Sequence, residues 1–221
     1  MNLRKVFLPF LTFVVTSATY AQTTLKSEID SLSYSIGINI GQSLQAQHLK
    51  PDPKIIGEAI ADILNDNALK IAEEESGMFI QMYMMKAMNK LAEENLAAGQ
   101  AFLEKNKVRS GVITLPSGLQ YEVIRASEGS KPFPTDKVQV HYHGTLIDGT
   151  VFDSSVERGS PATFGVNQVI QGWIEGLQLM PVGSKWKLYI PADLAYGSRG
   201  QGKIGPNSTL IFDVELLAIN P

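Results

Sequence analysis

Between Ala72 and Lys107 the chain runs without a proline and consists mostly of strong helix formers, which predicts one unbroken helix. Glu73, Glu74 and Glu75 open the run, where the partial positive charge of a helix N-terminus favours them. Lys105 and Lys107 stand near the other end. About 35 residues at ~1.5 Å each make a rod of about 50 Å, longer than a domain in a chain of 221 residues needs. Its apolar residues are uneven: Met78, Phe79, Ile80, Met82, Tyr83, Met84, Met85 and Met88 crowd the first half and cover more than one face. The second half is sparser, with Leu91, Leu96, Phe102 and Leu103 set among Glu and Lys. A helix apolar on several sides must be buried on several sides. The segment before it can cover one side, and a second copy of the chain is expected to cover the rest, a contact for which adaptable Met is suited. A Met-rich core within one chain and a Met-lined groove for client proteins are the other readings.

Residues 25–70 read as short helices. Leu32, Ile36, Ile40 and Leu44 recur every fourth residue as a helical stripe. Gly37 and Gly41 share that spacing and leave a groove for close helix approach, since each costs a helix about 1 kcal/mol against Ala. Asp52 suits an N-cap and Pro53 a first helical position. Ile55, Ile56, Ala59, Ile60, Ile63 and Leu64 give the next apolar face, and Asn65-Asp66-Asn67 ends it.

Residues 1–21 have the make-up of an export signal: Arg4 and Lys5, an apolar run from Val6 to Val15, and small residues before a cleavage point after Ala21. The run is short of the ~20 apolar residues that span a bilayer, and no later segment could span one. The net charge of −3 becomes −5 when Arg4 and Lys5 leave with that segment, which argues against a nucleic-acid partner. The chain has no cysteine, so disulfides, thiolate metal sites, a Cys nucleophile and a lipidated Cys are excluded.

Gly111, Pro116 and Gly118 mark the junction over residues 108–118, and from there the period becomes strand-like. Leu119 to Ile124 alternates, and Val138, Val140 and Tyr142 alternate with Gln139, His141 and His143. Asp148-Gly149 is a tight turn leading to Phe152-Asp153. Residues 154–168 read as loop with a short strand around Phe164, Val169 to Leu177 as one short helix, and Ser184 to Ile190 and Ser208 to Leu217 as strands. The fold class is α+β: a helical region, then an antiparallel sheet wrapped on one short helix. The boundaries expected are 1–21, 22–71, 72–108 and 109–221.

Tyr142, Phe152, Trp173, Tyr196 and Phe212 recur across strands, helix and loop. By residue type they read first as core; the neighbouring Asp153 leaves open a pocket with one charged group. His141 and His143 could form a metal pair, but the third histidine, His48, falls in the other region, and no metal is expected. Gly197 to Gly205 lacks the Gly-Lys-Ser/Thr ending of a phosphate loop and reads as a flap over a pocket. No Gly-x-Ser-x-Gly nucleophile elbow occurs.

Tyr142, Gly144, Asp148-Gly149, Phe152-Asp153-Ser154-Ser155, Val169-Ile170-Gln171-Gly172-Trp173, Ala195-Tyr196-Gly197 and Thr209 to Leu216 resemble, in order and spacing, the FK506-binding-protein type of peptidyl-prolyl isomerase over about residues 115–220. Leu32 to Gly37, the long helix and Gly99-Gln100-Ala101-Phe102-Leu103 resemble the dimerisation region of the bacterial macrophage-infectivity-potentiator and FkpA-like branch. The resemblance implies a V-shaped homodimer with a helical stalk, isomerisation of X–Pro bonds in folding polypeptides, chaperone activity, no cofactor, and inhibition by macrolides of the FK506 and rapamycin type. A non-catalytic holdase that grips proline-containing segments is the alternative. The implied location is the periplasm, with outer-membrane or surface association as the alternative. Carried over residue by residue, Tyr142, Phe152, Val169, Ile170, Trp173, Ile204 and Phe212 bind substrate, Trp173 as floor and Ile170 through its N–H, while Asp153 and Tyr196 act on the twisting bond. Two departures stand out: Ala162 replaces an aromatic of the compact members, and their flap His is absent near Gln201.

Overall fold

The computed structural model describes residues 24–47 and 49–221. The export signal read over residues 1–21, and His48, lie outside them. The chain divides between Lys70 and Ile71 into two compact units.

The first unit holds α1 (Glu28–Ala46) and α2 (Pro53–Leu64). Ser27 caps α1 through a reciprocal capping box with Asp30. At α2 the Asp52 carboxylate accepts from the Lys54 N–H at 2.8 Å and Pro53 takes the first turn. Such caps contribute about 1 kcal/mol each. Neither helix has a fully buried residue. Leu32 and Ile36 of the stripe are exposed, Ile40 and Leu44 half-buried, and a Cβ added at Gly37 or Gly41 would meet no atom. The groove those glycines leave is unfilled.

The second unit begins with α3 (Glu73–Asn106), unbroken as its composition dictates. Seven strands follow: β1 (Val112–Thr114), β2 (Gln120–Arg125), β3 (Lys137–Leu146), β4 (Val151–Ser154), β5 (Ala162–Gly165), β6 (Lys185–Ile190) and β7 (Leu210–Ile219). They form one antiparallel sheet in the order β1-β2-β6-β7-β3-β4, with β5 on the first half of β3 and β4 on its second half. β1 lies in the stretch expected to be a plain junction; three residues are too few for alternation to register, and pairing of Ile113 with Tyr121 makes the strand. α4 (Gln171–Leu179) packs across the sheet, and Val138, Val140, Leu177, Met180, Leu188 and Leu216 are sealed between them. A Cβ at Gly172 would lie 2.4 Å from Ile190 Cγ2, so glycine there is a condition of that close approach.

α4 starts two residues later than expected. Val169 and Ile170 are extended, with ψ of 178° and 151°, a conformation that suits a β-branched pair. They follow a 3₁₀ turn at Val166–Gln168, and Ile170 becomes the N-cap residue.

The sparse second half of α3 belongs to the sheet. Phe102 packs on Tyr189 with ring centroids 5.9 Å apart. The buried Asn106 donates to Gln120 Oε1 at 2.8 Å, and Gln120 donates to the Leu103 carbonyl at 2.9 Å. Arg109 ties Asn106 and Tyr189 together, at 2.8 and 2.9 Å. The first half differs: Met78, Phe79, Ile80, Met82, Tyr83 and Met85 are each more than half exposed.

Candidate active site

The alternation along β3 aims Tyr142 to the same side as Val138 and Val140, where Trp173 of α4 meets it. Trp173 is 4% exposed and touches three rings edge-on: Tyr142 at 5.3 Å, Phe212 at 5.2 Å and Phe164 at 5.8 Å. Phe152 stands edge-on to Phe212 at 5.3 Å. These two rings lie over the backbone at Gly144, where a Cβ would sit 2.7 Å from Phe152 and 2.8 Å from Phe212. Edge-to-face pairs of this kind add ~0.5–1.5 kcal/mol beyond the burial itself, so the rings hold one another in place by more than burial alone.

The box is open on one side to a cleft of about 630 Å³. The nine residues assigned to the site by the family resemblance all line it: Tyr142, Phe152, Asp153, Val169, Ile170, Trp173, Tyr196, Ile204 and Phe212. Phe164, Gln168, Gln201 and Gly202 complete the lining. Because α4 begins at Gln171, the Ile170 N–H is left outside the helix and has no hydrogen-bond partner among the described residues. Tyr196 and Ile204 come from the loop between β6 and β7, which folds back through a Gln201–Ile204 bridge.

One charge sits at the mouth. Asp153, 45% exposed in its side chain, accepts from the Tyr142 hydroxyl at 2.5 Å and pairs with Arg158. Arg158 also donates to the Tyr142 hydroxyl at 2.8 Å. Burial pushes the Asp153 carboxyl up, but hydrogen bonds from Tyr142 and Arg158 and the charge of Arg158 outweigh it and hold it below the usual carboxylate range. Burial, and then the hydrogen bond to Asp153, raises the Tyr142 phenol. Burial and the charge of Asp153 raise that of Tyr196. At neutral pH the mouth therefore carries a carboxylate and two neutral phenols.

Sequence reasoning missed Arg158 and the supports of Asp153. Arg158 lies in the turn after β4, five residues past its partner, and no period marks it. Ser155, fully buried, accepts from the Tyr142 N–H at 2.7 Å and so ties the segment after β4 to β3. His141 and His143 are half-buried, each with Nδ1 on a serine hydroxyl: Ser155 at 3.1 Å and Ser154 at 3.0 Å. They brace the end of β4 and the residue after it, Ser154 and Ser155, against β3. Among the described residues no group of three His, Asp or Glu side chains could hold a metal ion, and no helix is long and apolar enough to cross a membrane.

Residues 128–217 match the family described as FKBP-type peptidyl-prolyl cis-trans isomerase, and residues 29–123 the domain amino-terminal to it. The chain is 47% identical over 205 residues to the outer membrane protein MIP of Legionella longbeachae, covering 89% of this chain and 88% of that protein. It is 47% identical over 201 residues to the FKBP-type 22 kDa peptidyl-prolyl cis-trans isomerase of Escherichia coli K12, covering 85% of this chain and 93% of that one. The crystal structure of FkpA from Escherichia coli is similar with a TM-score of 0.70 at 38% identity, over 90% of this chain and 99% of that one.

Proposed function

This chain belongs to the FKBP-type peptidyl-prolyl cis-trans isomerases, and we propose that it rotates X–Pro bonds in the cleft over Trp173. Uncatalysed rotation is slow because resonance gives a barrier of about 18–20 kcal/mol. No bond is made or broken, so the protein has to favour the twisted amide over the planar one. The box of Tyr142, Phe152, Trp173 and Phe212 holds the pyrrolidine ring and strips water from the planar carbonyl, which hydration favours more than the twisted one. The free Ile170 N–H takes the substrate carbonyl beside the proline. Asp153, ionised and fixed by Tyr142 and Arg158, and the Tyr196 phenol orient and polarise the groups around the bond as it turns. The observation that carries this reading is the convergence of the aromatic box, the ionised Asp153 and the unused Ile170 amide on one cleft.

The substrates we propose are proline-containing segments of folding polypeptides, and macrolides of the FK506 and rapamycin type are the inhibitors the cleft should take. We further propose a homodimer, supported by the exposed apolar residues of α1 and of the first half of α3, and chaperone activity carried by the helical region. Export through residues 1–21 to the periplasm accords with that segment's composition. Association with the outer membrane accords with the name of the Legionella relative.

Exchange spectroscopy on a short X–Pro peptide tests the catalytic reading with full-length wild type and Asp153→Ala. Acceleration by wild type, reduced about tenfold or more by Asp153→Ala, is expected for a preorganised polar group. Peptide binding without acceleration would instead mark a holdase. Suppression of client aggregation, with the macrolide present, separates chaperoning from the cleft: it should persist when the cleft is blocked.

A further inference from the structure

The flap that closes the cleft is seated on α3. Its base is the backbone bond from the Asn207 N–H to the Gly197 carbonyl, 2.8 Å. Beyond that base, residues Gly205 to Thr209 lie along the helix. Asn95 of α3 donates through Nδ2 to the Pro206 carbonyl at 2.8 Å, with the Ser208 hydroxyl 3.4 Å away. In return, Asn207 donates through its side chain to the Ala92 carbonyl of the helix at 3.3 Å. The fit is close in both directions. A Cβ at Gly205 would stand 3.1 Å from Asn95 Nδ2, and a Cβ at Gly99 would stand 2.3 Å from Thr209 Oγ1. Asn207 holds a left-handed backbone at φ 52°, a conformation Asn tolerates better than most residues.

Two cleft residues depend on this seat. Ile204, 6% exposed, directly precedes the seated segment, and Tyr196 directly precedes Gly197 at the base bond. Apart from Ile204 and Tyr196, which pack on the core, the flap has few other ties among the described residues. Its tip turns on the Gln201–Ile204 bridge, and Ser198, Arg199, Gln201, Gly202 and Lys203 are exposed. The helix, in contrast, is anchored to the sheet at its own C-terminal end through Asn106, Gln120 and Arg109. The Asn95 amide is therefore held on a helix that is itself tied to the sheet.

We propose that Asn95 is a positioning residue for the isomerase reaction: through Pro206 and Asn207 it fixes the flap residues Tyr196 and Ile204 against the substrate. This rests on the assignment of the cleft as the reaction site. By sequence Asn95 falls in the segment amino-terminal to the isomerase family match, so the helical region supplies part of the binding machinery.

Asn95→Asp keeps the size of the side chain and removes the donor to Pro206. Steady-state exchange of an X–Pro peptide with the full-length chain should show KM raised about three- to tenfold, the worth of one lost hydrogen bond. The kcat should fall by less than KM rises, because Tyr196 rests on the flap while Asp153 and Tyr142 do not. Ala97→Gly, at an exposed position of the same helix, weakens the helix without touching the flap and should leave KM unchanged. Asn207→Gly keeps the left-handed backbone, loses the bond to Ala92 and should raise KM in the same way, which preserves the test if Asn95→Asp folds poorly. A KM for both Asn95→Asp and Asn207→Gly equal to that of Ala97→Gly, with wild type active, would overturn the positioning role alone. A wild type that does not accelerate exchange would overturn the cleft assignment and this inference with it.

Discussion

Asp153 can act as a fixed charge because two neighbours keep it ionised. Its folded pKa is depressed, so the stability it contributes is present above its unfolded value and is lost as pH falls through the folded one. Turnover should accordingly be flat from about pH 6 to 8, with its acid limb below the ordinary carboxylate range; a pH–rate profile with a carboxylate-dependent step near neutrality would contradict this. Arg158→Ala removes a hydrogen bond and a positive charge while burial stays. The acid limb of the same profile should therefore move to higher pH, and Arg158→Lys should move it less. Asp153, Tyr142 and Trp173 were legible in the sequence because a strand, a turn and a helix hold them at characteristic spacings. Arg158 was not, because the turn that folds it back onto Asp153 carries no periodic signal.

At the scale of elements, the close contact of α4 with β6 is the joint on which the floor of the cleft rests. Gly172→Ala would press a methyl group into Ile190. Overpacking of this kind costs about 1–3 kcal/mol, to be read as a lower urea midpoint, and the shift of Trp173 should lower turnover with it. The helices were readable from their ends: Asp52-Pro53 marked α2, and the three glutamates marked α3. The start of α4 was not, since Val169 and Ile170 continue an apolar pattern while their β-branched backbones stay extended. The Ile170 amide lacks an intrahelical partner because it stands at the N-cap, ahead of the first N–H that the helix can satisfy. The docking of α3 on the sheet was equally hidden, because Asn95, Gly99 and Asn106 are poor markers of a buried face and act through hydrogen bonds and close approach.

At the scale of the whole molecule, the methionine-rich half of α3 and the stripe of α1 leave apolar faces uncovered in one chain, and exposed patches of that kind mark a contact surface. The proposed homodimer predicts that sedimentation of the full-length chain gives twice the monomer mass of 24.1 kDa, less any cleaved export signal. Tyr83→Lys or Ile36→Asp should shift it toward monomer; a monomeric wild type at micromolar concentration would refute the dimer. The uneven apolar content of the long helix was visible in the sequence, and it corresponds to a free first half and a docked second half.

The assignment of the cleft is tested most directly by the chain's two tryptophans. Trp173 floors the cleft, whereas Trp186 is buried against Tyr121 at 4.5 Å, outside the cleft lining. The measurement is kcat/KM for cis–trans exchange of an X–Pro peptide by full-length Trp173→Leu and Trp186→Phe. Trp173→Leu should lose about tenfold or more, the worth of ~1.4 kcal/mol of transition-state stabilisation, while Trp186→Phe stays within about twofold of wild type. Equal loss in both variants, or none in Trp173→Leu, would contradict the placement of the reaction over Trp173.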